Sequence, residues 1–425
     1  MRPDATLLVP EQGSGTSTLG SMSRPFLKRV LLKDYKSIGA CDVRLGPLVF
    51  LVGPNGSGKS NFVDALRFVA DALRTSLDHA MRERGGIKEV RRRSTGHPRH
   101  FGIRLEFELR SGASGHYAFR IGARERGGYE VQNEECVVHP GEPLAPSASF
   151  HVQSGKVTST AQAPPPAQAD RLYLVTASGL PEFRGVYDAL SRMGFYNLNP
   201  DHLRALQKPD QGDLLARDGG NIASVIDQME KRKDPAKDRI QEYLEKVVPG
   251  VQGVAHKDVG GMETLEFRQV VPGAKAPWRF PAASMSDGTL RALGILVALL
   301  QSRDGNRPEV PLVAIEEPEV ALHPAAAGVV LDALLEASQW TQVVVTSHSP
   351  DLLDDERLDT DSILAVMARD GETLIAPLDE VGRRALREHL YTAGELLRLN
   401  QLVPDPVVIE KVSGAQLRLF DEPRD

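Results

Sequence analysis

Residues 53–60 read Gly-Pro-Asn-Gly-Ser-Gly-Lys-Ser, and no other stretch restricts the fold of this 425-residue chain as strongly. Gly53, Gly56 and Gly58 let the backbone curl so that successive N–H groups point inward, where a side chain would block an approaching phosphate. The spacing G-x-x-x-x-G-K-S is that of a phosphate-binding loop. Its flanks suit that reading. Val49–Val52 is a short apolar run of strand formers, as expected for a buried strand of a parallel sheet. From Ser60 onward Phe62, Leu66, Val69 and Leu73 recur at helical spacing. The positive end of such a helix favours a phosphate. Lys59 would then stand against the β- and γ-phosphates of ATP, and the Ser60 hydroxyl would reach Mg²⁺. The ATP-binding candidates are Gly53, Pro54, Asn55, Gly56, Ser57, Gly58, Lys59, Ser60 and Asn61.

A second constraint is the run Leu312-Val313-Ala314-Ile315-Glu316-Glu317. Four apolar residues followed by two carboxylates describe a buried strand with acids at its end. Glu316 can hold the hydration shell of Mg²⁺ together with Ser60, and Glu317 can accept a proton from an attacking water as general base. A further apolar strand, Val343–Thr346, leads into Ser347-His348-Ser349-Pro350, so His348 is the candidate sensor of a γ-phosphate. Ser284-Met285-Ser286-Asp287-Gly288-Thr289 opens a helix carrying Leu290, Leu293, Val297 and Leu300. Ser286 or Asp287 is a natural N-cap, and capping alone accounts for part of that pattern.

Composition sets the limits. The formal charge is −6, so nucleic acid could be bound only through a local basic patch. The one candidate is Arg82–Arg104, where arginines and Lys88 outnumber Glu83 and Glu89. The alternative for that stretch is a solvated or structural face. Cys41 and Cys136 are the only cysteines, which gives no disulfide framework or metal cluster and suits a reducing, cytoplasmic setting. No apolar run approaches the roughly 20 residues that span a bilayer, so no membrane association is expected.

Along the chain, residues 1–22 look like a disordered leader and 23–140 like a first α/β lobe. Residues 141–170, with Pro164-Pro165-Pro166, look like a loop or linker. Residues 171–279 read as mostly helical, 280–382 as a second α/β lobe, and 383–425 as a tail that docks a partner or packs on the head. Asp359 and Asp361 read as part of a loop.

The order of phosphate loop, long insertion, Ser-x-Gly signature, paired acids and switch histidine resembles the ABC-class ATPase heads of the RecF/SMC/OLD group. The segment Asp34-Tyr35-Lys36-Ser37 resembles the entry of RecF-type heads. The resemblance implies an α/β fold, a two-lobed ABC-ATPase head of the P-loop NTPase class, with a mostly helical insertion projecting between the lobes. It implies ATP and Mg²⁺ as ligands, Glu317 and His348 as catalytic residues, and a homodimer closed by ATP. In that dimer Ser286, Asp287 and Gly288 face the nucleotide of the other subunit. Glu316 stands where the group usually has aspartate, and Ala321–Pro324 takes the D-loop position. Gln132 is the candidate for the Q-loop glutamine. The group's roles imply DNA repair or anti-phage defence, with an effector protein from a neighbouring gene. The alternative is a switch ATPase that controls a protein partner without touching DNA. The residues after His348 are too few for the Toprim nuclease domain of OLD proteins. Asp287-Gly288-Thr289, where transporter subunits carry Gly-Gly-Gln, argues against a transporter.

Overall fold

The computed structural model describes residues 25–94, 98–125, 127–142, 145–160, 164–301, 310–414 and 417–421. The expected leader, 1–22, lies outside them. The strands are β1 (Leu27–Tyr35), β2 (Ile38–Arg44), β3 (Leu48–Val52), β4 (His100–Glu108), β5 (Ser114–Ala123), β6 (Tyr129–His139), β7 (Ala148–Gln153), β8 (Lys156–Ser159), β9 (Gly194–Tyr196), β10 (Val251–Val259), β11 (Met262–Gln269), β12 (Trp278–Pro281), β13 (Leu312–Glu316), β14 (Gln342–Ser347), β15 (Ile363–Arg369) and β16 (Glu372–Pro377).

They form three sheets. The first is antiparallel, in the order β2-β1-β4-β5-β6-β7-β8. The second, β16-β15-β3-β14-β13-β9, is parallel except for β16. The third, β10-β11-β12, is antiparallel.

The apolar runs are explained by burial on both faces of the second sheet. Side chains alternate across a strand, so Val49 and Leu51 of β3 enter one buried cluster, while Leu48, Phe50 and Val52 enter the other. The same split divides Leu312 and Ala314 from Val313 and Ile315 on β13. The first cluster fills the space between the two large sheets, around the helix Lys59–Arg74. There Tyr35, Phe68, Phe101 and Phe119 pack edge-on or tilted. The second cluster lies under the helices Asp287–Leu300 and Pro324–Ala337. Gln342, 1% exposed, joins the sheets: its Nε2 donates to the carbonyls of Leu27 (2.9 Å) and Gly46 (2.8 Å), and its Oε1 accepts the Leu27 N–H (2.8 Å).

Several expectations need correction. Residues 141–170 are not simply a loop, because 148–153 and 156–159 form β7 and β8 and extend the antiparallel sheet. Val152 and Phe150 are buried there, an apolar alternation hidden among Pro, Ser and Thr. The region 171–279 holds five helices but also β9 to β12. Nor does it project as an arm. Ile226, Met229, Ile240 and Leu244 share one buried cluster with Leu293, Leu296 and Leu334 of the second lobe. The tail also packs on the head: Leu419 is buried against Gly102, where a Cβ would lie 2.3 Å from its Cδ1. Arg104 Nη1 donates to the Leu419 carbonyl (3.1 Å) and to Asp421 (3.0 Å). Asp359 caps the 3-10 turn Thr360–Ser362.

Glu134 is a fully buried carboxylate on β6. It accepts the N–H groups of Tyr173 (2.5 Å) and Leu174 (2.8 Å) and the Tyr117 hydroxyl (2.9 Å). Loss of solvent outweighs these bonds and pushes its pKa up to about 7. The folded state therefore holds this proton more tightly than the unfolded chain, whose Glu titrates near ~4.3. Its stabilising share is complete below that value and is lost as pH rises through about 7, a change of up to about 4 kcal/mol. We expect the urea midpoint to fall across this window, and Glu134→Gln to flatten the fall. An unchanged slope in the variant would show that Glu134 does not titrate there.

Candidate functional site

The phosphate loop and the acidic strand end belong to β3 and β13, which are not neighbours in the sheet. β14 runs between them, with Ser347 opposite Val52 of β3 and Thr346 opposite Glu316 of β13. Three parallel strands therefore end at one level, and Gly53, His348 and Glu317 leave the sheet side by side. This carboxyl edge is where open α/β sheets take ligands.

The loop is shaped by steric necessity. Gly56 and Gly58 have φ of 77° and 101°, which only glycine adopts readily. A Cβ at Gly53 would stand 2.0 Å from the Val366 carbonyl, and one at Gly58 would stand 1.9 Å from Thr373 Oγ1. A directed chain of hydrogen bonds pins the loop. Asn61 Nδ2 donates to Ser37 Oγ (2.6 Å), the Ser37 and Thr373 hydroxyls bond at 2.7 Å, and Thr373 Oγ1 donates to the Ser57 carbonyl (2.9 Å). Ser37 lies in the β1–β2 turn and Thr373 on β16, so both large sheets hold the loop. Thr373 was not legible as a site residue, since a threonine in a closing strand carries no local signal.

Lys59 is buried, and its Nζ donates to the carbonyls of Gly53 (2.8 Å) and Pro54 (3.0 Å). Burial lowers its pKa, while the charges of Glu317 and Glu319 pull it back up. Ser57 Oγ is buried with no hydrogen-bond partner among the described residues. Such a cradle, which side chains would fill, with a buried cation and an orphaned hydroxyl, fits a polyphosphate. Ser60 and Glu316 offer hard oxygen donors of the kind Mg²⁺ takes.

Glu317 sits at φ 46°, in the left-handed region, and its N–H donates to the Thr346 carbonyl (3.0 Å). That turn brings the acids back over β14. His348 Nδ1 lies 3.4 Å from Glu317 Oε1 and 3.7 Å from Glu319 Oε1. Glu316 faces Arg217, with Nη2 to Oε1 at 3.3 Å. Arg217 and Glu319 were both missed by sequence reasoning, although Glu319 stands only two residues beyond the predicted base.

Gln132 is not part of this group. It lies on β6 in the antiparallel sheet, where its side chain covers Gly122. The position beside the acidic strand is taken instead by β9, whose Tyr196 pairs with Ile315.

Ser286 caps the helix Asp287–Leu300: its Oγ accepts the Thr289 N–H at 3.2 Å and bonds the Thr289 hydroxyl at 2.9 Å. Asp287 pairs with Arg204. Gly288 is required by contact, since a Cβ there would lie 2.4 Å from the carbonyl of Ala321, itself at φ 65°. The Ser-x-Gly turn and the segment after the acids are thus packed together within one chain. Among the described residues, no hydrogen bond or ion pair joins Ser286, Asp287 or Gly288 to residues 53–61 of the same chain.

Comparison with known proteins agrees with this geometry. Residues 48–137 and 139–354 match the family described as "AAA domain, putative AbiEii toxin, Type IV TA system". The chain belongs to that family. Its fold is also similar to an Smc head bound to the C-winged helix domain of ScpA (TM-score 0.53, 15% identity, 84% of this chain and 99% of that one). It is similar as well to an Smc head domain with an extended coiled coil from Pyrococcus furiosus (TM-score 0.54, 13% identity, 86% and 99%). A 41-residue stretch is 42% identical to the DNA replication and repair protein RecF of Aliivibrio fischeri and 44% identical to that of Vibrio vulnificus. It spans only 9% of this chain and 11% of each RecF. The architecture is that of a two-lobed, ABC-class P-loop ATPase of the RecF/SMC type. Among the described residues, no helix is long and apolar enough to cross a membrane.

If Thr373 holds the loop in its binding shape, Thr373→Val leaves the Ser57 carbonyl and the Ser37 hydroxyl without their partner. That loss, about 1–2 kcal/mol, should raise the Kd for ATP about 5- to 30-fold in a calorimetric titration. An unchanged Kd would show that the loop needs no such anchor.

Proposed function

We propose that this protein binds ATP with Mg²⁺, closes as a homodimer around it, and hydrolyses it. The observation that carries the reading is that the phosphate loop, His348 and Glu317 follow three neighbouring parallel strands at one edge, with Lys59 close enough to feel the charge of Glu317. In this reading the inward N–H groups of residues 53–60 and the Lys59 ammonium neutralise the β- and γ-phosphates. Mg²⁺, held by Ser60 and Glu316, would supply further charge neutralisation. Glu317 takes a proton from the attacking water, and His348 holds the γ-phosphate side. Ser286, Asp287 and Gly288, at the N-terminus of a long helix and free of their own phosphate loop, would complete the site of the second copy.

For the output of the cycle, one observation favours control of a protein partner over direct DNA binding. The arginines of Arg82–Arg104 are largely engaged. Arg84 is buried between Asp64 and Asp71, Arg92 pairs with Glu372, Arg93 with Glu89, and Arg104 with Asp421. Such a stretch has little charge left for phosphates. A role in DNA repair or anti-phage defence with an effector from a neighbouring gene is compatible with either output.

Glu317→Gln keeps the shape of the site and removes the base. We expect the ATPase rate to fall about 10²- to 10⁴-fold while ATP still binds, leaving a dimer that persists with Mg²⁺-ATP in light scattering. A parental rate would exclude Glu317 as base, and a monomer at saturating ATP would exclude closure. Adding duplex DNA at two salt concentrations should leave the parental rate unchanged. Stimulation that fades with salt would instead support the DNA-directed reading.

A further inference from the structure

Glu319 is a nearly buried carboxylate to which the hydrolytic scheme above gives no task. Its side chain is 9% exposed. Oε1 accepts two hydrogen bonds from the end of β14, from Ser347 Oγ (2.8 Å) and from the His348 N–H (3.1 Å). Ser347 Oγ in turn accepts the Ser349 N–H (3.1 Å). One carboxylate oxygen therefore organises residues 347–349. Oε2 is buried and has no hydrogen-bond partner among the described residues. A buried carboxylate oxygen left unpaired is costly, and it persists only where nearby positive charge offsets it. Two cations feel the charge of Glu319, Lys59 of the phosphate loop and Arg291 of the helix Asp287–Leu300.

We infer that Glu319 is a positioning residue: by latching the end of β14 it keeps His348 close to Glu317 yet out of hydrogen-bond reach. The inference rests on the proposed hydrolytic role of Glu317. The separation matters because a carboxylate that accepts a hydrogen bond from an imidazole is a weaker base toward water. His348 Nδ1 is buried, has no hydrogen-bond partner among the described residues, and stands 3.4 Å from Glu317 Oε1. A shift of about half an ångström would close that gap into a hydrogen bond. The latch on the His348 backbone opposes the shift. Pro318 and the left-handed turn at Glu317 direct the chain so that the Glu319 carboxylate reaches the end of β14. The charged groups around this corner are Glu317 and Glu319 on the acidic turn, Lys59 on the phosphate loop and Arg291 on the neighbouring helix.

The test compares Glu319→Ala with Glu319→Gln in the full chain. The glutamine retains an acceptor oxygen for the latch and the alanine does not, while both lack the charge. For Mg²⁺-ATP turnover, the alanine variant should lose about 10- to 100-fold in kcat with its ATP Kd changed less than about threefold, and the glutamine variant should recover most of kcat. The second readout needs no turnover: the ¹H–¹⁵N spectrum of the His348 ring in ¹⁵N-histidine-labelled, nucleotide-free protein. An Nδ1 proton hydrogen-bonded to a carboxylate should be seen in the alanine variant and not in the glutamine variant, because only in the former can the imidazole move onto Glu317. Absence of that signal from both variants would overturn the inference, as would a parental kcat in the alanine variant. A parent protein without ATPase activity would overturn the proposed function itself, and the histidine spectrum would still decide whether the latch exists.

Discussion

The hydrogen bonds from Asn61 through Ser37 and Thr373 to the carbonyl of Ser57 tie a side-chain-poor loop to both large sheets. A loop with three glycines has the most conformational freedom to lose on folding. Left to itself it would present its N–H groups in many directions. Here the Thr373 hydroxyl fills the space a side chain at Gly58 would need, and Val366 does the same at Gly53. Gly58 is thus required twice, for its left-handed backbone and for the close approach of β16, whereas Gly56 meets only the first demand and Gly53 only the second.

Charge is arranged around the loop in two separate sets. Below it Asp64 is buried among Arg84, Lys36, Arg67 and the Tyr35 hydroxyl. Burial pushes the Asp64 carboxyl up, but the three cations hold it well below the ordinary carboxylate range. Breaking such a set leaves a buried charge unpaired, so these groups serve the fold. In the second set Lys59 and Arg291 feel the charges of Glu317 and Glu319, a balance that an arriving triphosphate would change. That contrast separates the structural basic residues of this region from the functional ones.

Local patterns carried the elements of the candidate site. Glycine spacing marked the loop, and apolar runs ending in Glu316 or before Ser347 marked the strands, because burial on both faces of a parallel sheet writes an unbroken apolar stretch into the chain. What stayed illegible depends on partners distant in sequence. Thr373 is 316 residues from Ser57, and nothing near it announces the bond. Gln132 was proposed because it is a glutamine in the first lobe, yet β6 belongs to the antiparallel sheet. The place beside the acidic strand falls instead to the three-residue strand β9, too short to show a period. Residues 148–159 were hidden by their Pro- and Ser-rich surroundings, and the helices of 171–279 gave no sign that their apolar faces close on the head rather than on each other.

The central claim is that a nucleotide's phosphates sit in the cradle of residues 53–60 with Lys59 against them. Calorimetric titration of Mg²⁺-ATP into the parent and into Lys59→Ala tests it most directly. The account predicts saturable binding by the parent and a loss of affinity of at least about tenfold, 1.4 kcal/mol, in the variant. Equal affinity in the two proteins would contradict it.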